Sequence, residues 1–149
     1  MLHLARSKTD AIIGTADTTT SQTAQHTIDT LGFAYASIDV VLEPNAATTD
    51  AICRALKVEE SDASATGYSD IAALVGGGTG GFTIPSSGSR TAGSNVVRLN
   101  IDLRGRKRYL RVNATPTAAS VVASVVRLGR GEIGASDAAS SGVQVVVNS

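Results

Sequence analysis

The sequence predicts a mainly β protein: a β-sandwich domain with one short helix and long loops rich in Gly, Ala, Ser and Thr. Three observations point there. Several segments alternate apolar and polar residues with a period of two, VVRLNIDL (96–103) most cleanly. Charged residues make up 17% of the chain and aromatics 3%, against a usual charged share of ~25%; Val, Ile, Leu and Ala must therefore fill the core, and Thr, Ser, Ala and Gly the turns. Strand-like runs follow one another without the strand–helix alternation of a doubly wound fold. A chain of 149 residues suffices for one domain with its own core. Residues 1–27 read as an extended or weakly structured arm and residues 28–149 as a single sandwich domain.

In order along the chain, FAYASIDVVLE (33–43) reads as a strand bounded by Gly32 and by Pro44-Asn45. Ala34, Ala36, Ile38, Val40 and Leu42 line one side, and Phe33, Tyr35, Ser37, Asp39 and Val41 the other. In ATTDAICRALKV, Thr48 or Thr49 as N-cap and the spacing of Ile52, Cys53 and Leu56 predict a helix of at most three turns. An acidic EESD and a one-turn element around SDIAAL follow, then VGGGTGG, where five of the six residues 76–81 are glycine. Glycine has the most backbone entropy to lose, so this is expected as a flexible surface loop, with close approach to a partner subunit as the alternative. FTIPSSGS reads as a short edge segment ended by Pro85.

In 96–103, Val97, Leu99, Ile101 and Leu103 share one face, and in KRYLRVNA (107–114) Leu110, Val112 and Ala114 do the same. The linking RGRK, with Gly105 free to take a positive φ, predicts a hairpin that gathers Arg104, Arg106, Lys107 and Arg108 around its turn. Arg98 and Arg111 then point from the body of a two-stranded ribbon. SVVASVVRL and VQVVV supply two further strands rich in β-branched residues.

Net charge is zero, yet residues 1–89 carry four basic and ten acidic side chains, and residues 90–130 nine basic and one acidic. If folding keeps that separation, one face is electropositive. A nucleic-acid grip is one use of such a face, with Tyr109 stacking a base, but neutral total charge and scarce aromatics favour contact with protein carboxylates. GGGTGG lacks the Lys-Ser/Thr of a phosphate loop. His26 with Asp29 lacks a G-x-S-x-G serine, and His3 sits at the terminus. Glu59, Glu60 and Asp62 lack EF-hand spacing, and Asp102 has no evident second acid for acid–base work. Cys53, the lone cysteine, precludes an intrachain disulfide and reads as a buried filler. No run of eighteen apolar residues marks a membrane span, and no export signal is expected from the N-terminus. Catalytic, cofactor and metal sites are therefore each expected to be absent.

The stretches IDTLGFAYASIDVVL, LKVEESD, GGFTIP, VVRLNIDLRGRKRYLRVNATP and VVRLGRGE, together covering roughly residues 28–133, resemble the cement or decoration proteins that bind the outside of tailed-phage capsids and also occur in prophages. The resemblance implies a β-sandwich or jelly-roll core and self-association into dimers or trimers. It also implies non-enzymatic binding across joints between major capsid subunits, with no cofactor and no small-molecule substrate. The expected location is the outer capsid surface of the virion, after synthesis in the host cytoplasm. GGGTGGF and the Ala/Ser-rich tail depart from the family's usual look and leave its capsid-facing surface open.

The expected contact residues are Arg98, Arg104, Arg106, Lys107, Arg108, Tyr109 and Arg111, their guanidinium groups meeting carboxylates of the shell or of sister copies. A tail-tube or head–tail joining protein is the alternative within virion structure. A single-stranded nucleic-acid-binding module is the alternative outside it.

Overall fold

The computed structural model describes residues 8–13, 23–42, 52–85, 96–117, 121–129 and 145–148. Among these residues nine strands form two sheets. They are β1 (Lys8–Ile13), β2 (Ala24–Asp29), β3 (Tyr35–Leu42), β4 (Cys53–Ser61), β5 (Ser69–Val75), β6 (Val96–Asp102), β7 (Tyr109–Pro116), β8 (Val122–Gly129) and β9 (Val145–Asn148). A five-stranded sheet has the order β1-β8-β3-β6-β9, antiparallel except for the parallel β6–β9 pair, and a four-stranded antiparallel sheet has the order β2-β7-β4-β5. The protein is a β-sandwich, as its alternation predicts.

The faces follow the side-chain period. Ala36, Ile38, Val40 and Leu42 of β3, Val97, Leu99 and Ile101 of β6, and Val126 and Leu128 of β8 are buried on the inner side of the larger sheet. Ile28, Leu56, Val58, Leu110, Val112 and Ala114 meet them from the smaller one. Burying each Leu or Ile contributes about 1.5–3 kcal/mol; with so few aromatics, it is this aliphatic layer that holds the sheets together.

Among the described residues the expected helix is not found: Cys53–Ser61 is strand, while Thr48 and Thr49 lie outside them. Register slips between Cys53 and Ala55, where β4 bulges against β7. The extra residue brings Cys53 and Leu56, three apart, onto the same buried side, so a bulged strand imitates helical spacing. SDIAAL repeats the effect. It belongs to β5, whose register against β4 also shifts, and Ile71 and Leu74 are both buried.

The hairpin between residues 96 and 112 is also corrected. β6 pairs with β3 and β9, whereas β7 pairs with β2 and β4, so the chain crosses from one sheet to the other through Leu103–Arg108. Each strand has one apolar face; opposed across the sandwich, the two faces cover one another, which side-by-side pairing in a ribbon would not achieve. Gly105 takes φ +84° as expected, and Arg106 N donates to Leu103 O at 3.1 Å to close the turn.

The glycine run lies at the surface, as expected, with residues 77–81 exposed, and is a hydrogen-bonded turn: Gly76 N donates to Leu56 O at 2.8 Å, Gly77 N to Phe82 O at 2.8 Å and Gly81 N to Gly78 O at 3.1 Å. A Cβ on Gly81 would fall 1.8 Å from Val75 O, so the close approach that requires glycine is to β5 itself. Of FTIPSSGS, residues 82–85 are described, and among them Phe82 makes an isolated parallel bridge to Gly76. Within residues 1–27, β1 pairs with β8, and β2, which begins there, pairs with β7, so the sandwich draws strands from that stretch as well.

Candidate functional site

The expected contact residues are divided among three places. Tyr109 and Arg111 lie on the outer face of the four-stranded sheet, because they alternate with buried Leu110 and Val112 in β7. Arg98 lies on the outer face of the five-stranded sheet, alternating with Val97 and Leu99. Arg104, Arg106, Lys107 and Arg108 stand on the crossing between the sheets.

On the four-stranded sheet, Arg111 is opposite Glu59 in register, and its Nε and Nη2 donate to Glu59 Oε2 at 2.9 and 2.7 Å. Asn113 Nδ2 donates to the same oxygen at 2.7 Å, and Lys57 Nζ lies 2.7 Å from Oε1. The network extends on both sides. Gln25 Nε2 donates to Asn113 Oδ1 at 2.8 Å, Lys57 also reaches Asp70 at 2.7 Å, and the Arg111 guanidinium stacks 3.8 Å above the Tyr68 ring. Burial pushes the Glu59 carboxyl up, but hydrogen bonds from Lys57, Arg111 and Asn113 outweigh it and bring it down to about 2. An open groove of about 300 Å³ runs over this array between β2, β7 and β4.

On the five-stranded sheet, Arg98 is opposite Asp39 and grips it with two bonds, Nε to Oδ1 at 2.6 Å and Nη2 to Oδ2 at 2.8 Å. Arg127 Nη2 also donates to Oδ2. Burial raises the Asp39 carboxyl, and the two guanidiniums reverse that into a net lowering. At the crossing, Arg104 Nη2 bonds Asp102 at 2.6 Å, Arg108 Nη2 bonds Asp29 at 2.7 Å and sits 4.9 Å over Tyr109, and Arg106 Nη1 is 4.0 Å from Glu60. The Lys107 amide donates to Glu60 Oε2 at 3.3 Å, and its Nζ to Ser69 Oγ at 3.4 Å. The hydrogen bond from Arg108 draws the Asp29 carboxyl down to about 2.

The charge separation along the sequence therefore does not survive folding. Asp29, Asp39, Glu59 and Glu60 come from the acidic stretch, while Arg98, Arg106, Arg108, Arg111 and Arg127 come from the basic one. The strand orders β2-β7-β4 and β8-β3-β6 interleave early strands with late ones, and so set acid beside base. The exposed arginine ribbon is replaced by cross-strand ion pairs.

Other candidates resolve simply. His26 and Asp29, three apart on β2, point to opposite sides: His26 is buried with Nδ1 3.0 Å from Ser124 Oγ, and Asp29 faces out to Arg108. Cys53 Sγ lies 3.1 Å from both Ala55 O and Thr115 O, either of which can accept its one proton, and burial pushes the thiol up to about 12, so it is an inert filler. Among the described residues no three His, Cys, Asp or Glu side chains are grouped to hold a metal ion, and no helix is long and apolar enough to cross a membrane. His3 lies outside the described residues.

An apolar patch stands where the alternation predicts polar surface. On the outer face of the five-stranded sheet, Val41 is opposite both Val96 and Ala123, and the next row carries Val125 and Val146 beside Asp39 and Arg98. The signal for it is present in VVASVV and VQVVV, where valine fills both phases of the alternation.

No protein-family model, curated protein or solved structure matches this chain.

Proposed function

We propose that this chain is a virion structural protein that binds the outer capsid surface and stabilises contacts between major capsid subunits, without catalysis. The observation that carries the reading is the agreement between the fold implied by the resemblance and the fold found. The resembling stretches contain β3, β6 and β7 and parts of β4 and β8, the central strands of a β-sandwich. A clamp of this kind needs a rigid body and complementary surface more than chemistry, and many copies on one shell make modest single-site affinity sufficient. Cross-strand ion pairs on both outer faces add to that rigidity. They also leave fewer free cations for phosphate, which weighs against the nucleic-acid alternative.

The test mixes the purified chain with shells of the virus that lack it and images the particles by electron microscopy. Density on the outer surface, across subunit joints, is expected. Failure to bind, together with rings formed by the free chain, overturns the reading in favour of a tail or joining role.

A further inference from the structure

We infer that the chain meets the shell through the outer face of its five-stranded sheet, and that the partner there is a protein segment presenting a carboxylate beside aliphatic side chains. This rests on the decoration reading and names its contact surface.

Two observations converge on that face. The first is apolar: Val41 is 38% exposed, and Val96, Ala123, Val125 and Val146 around it are only half buried, although a sheet's solvent side is ordinarily polar. Ala123, Val41 and Val96 form one apolar row across β8, β3 and β6, and the next row of the same face sets Val125 and Val146 at either end of the Asp39–Arg98 pair. Exposed apolar surface set beside charged side chains is the usual mark of a protein contact.

The second is electrostatic. Among the described residues, Asp39 answers two arginines with one carboxylate, leaving an excess positive charge beside the valines. Arg98 takes both carboxylate oxygens, whereas Arg127 reaches Asp39 through Nη2 alone. Its side chain is 52% exposed, and among the described residues its Nε and Nη1 have no partner. Arg127 is thus held by one amino group with the rest of its fork presented outward, as a second carboxylate requires. A basic partner would meet like charge. Nucleic acid would gain one phosphate contact and leave the valines unused. An acidic, aliphatic protein segment satisfies both halves of the patch.

The experiment measures apparent Kd for shells lacking this chain, by co-sedimentation, with a thermal melt of each variant. Arg127→Glu and Val41→Glu should each weaken binding at least ten-fold, whereas Thr27→Glu, on the opposite sheet, should bind as the native chain does. If either Glu variant melts early, Arg127→Gln and Val41→Thr take its place, with several-fold weakening expected. Native-like binding by the Arg127 and Val41 variants, with loss in Thr27→Glu or Arg104→Glu, overturns the inference and leaves the decoration reading standing. A native chain that does not bind shells at all overturns both.

Discussion

The two outer faces of the sandwich use the same ionic groups to different ends. On the four-stranded sheet, Glu59 is the hub of a closed array, with Lys57, Arg111 and Asn113 converging on its two oxygens and Asp70 taking up the remaining charge of Lys57. On the five-stranded sheet, Asp39 is outnumbered by Arg98 and Arg127 and borders a valine patch. A balanced polar face is already satisfied by its own neighbours, whereas an unbalanced one with apolar surface has something to gain from a partner. Position within the fold, more than the count of arginines, thus separates structural charge from charge available for contact.

The largest effect should come from breaking the closed face. Glu59 is only 8% exposed, and Glu59→Ala would leave Lys57, Arg111 and Asn113 converging on nothing. The expected loss is about 3 kcal/mol of unfolding free energy, since charged hydrogen bonds are worth about 1.5–3 kcal/mol each and the freed cations recover part of that in water. Urea denaturation of the variant against the native chain measures it. A loss below about 1 kcal/mol would mean that the array adds little to stability.

The same carboxylate should make stability fall in acid. Its folded pKa of about 2 lies below the ordinary glutamate value of 4.5, so the stabilisation is complete above about pH 4.5 and fades as pH drops toward 2. Asp29, also drawn to about 2 in the fold, acts in the same window and with the same sign. Thermal midpoints between pH 7 and pH 2 should therefore decline steeply in the native chain and more shallowly in Glu59→Gln. Parallel curves would assign acid sensitivity to other groups.

At Asp39 the two arginines should couple unequally. A double-mutant cycle between Asp39→Asn and Arg98→Gln is expected to give about 1.5–3 kcal/mol, because the pair is bidentate and Asp39 is 7% exposed. The cycle with Arg127→Gln is expected below about 1 kcal/mol, as for a half-solvated pair. Equal couplings would show that Asp39 holds Arg127 no less firmly than Arg98, and would blunt the contrast between the faces.

The strands were legible where one face is apolar and the other polar, as in β3, β6 and β7. They are hidden where bulges set Cys53 and Leu56, or Ile71 and Leu74, three residues apart on one buried side, a spacing that also belongs to a helix. The pairing of sheets was less legible, because an apolar face on β6 and another on β7 fit a hairpin and an inter-sheet crossing equally well. The ion pairs were hidden for a different reason. Arg111 and Glu59 are 52 residues apart, Arg108 and Asp29 are 79, and Arg127 and Asp39 are 88, so only the strand order brings them together.

The smallest effect is expected at Arg104, the residue that most nearly keeps the exposed-arginine picture. Its side chain is 71% exposed, and its partner Asp102 is only two residues away. An ion pair this local and this wet exchanges protein contacts for water at little cost, so Arg104→Ala should shift the urea midpoint far less than Arg111→Ala does. Set beside Arg111→Ala, which removes two bonds to a buried carboxylate, it gives the cleanest internal control, since both residues come from the same basic stretch. Similar losses at the two positions, measured by the same urea titration, would break the distinction between arginines that build the sandwich and arginines that decorate its end.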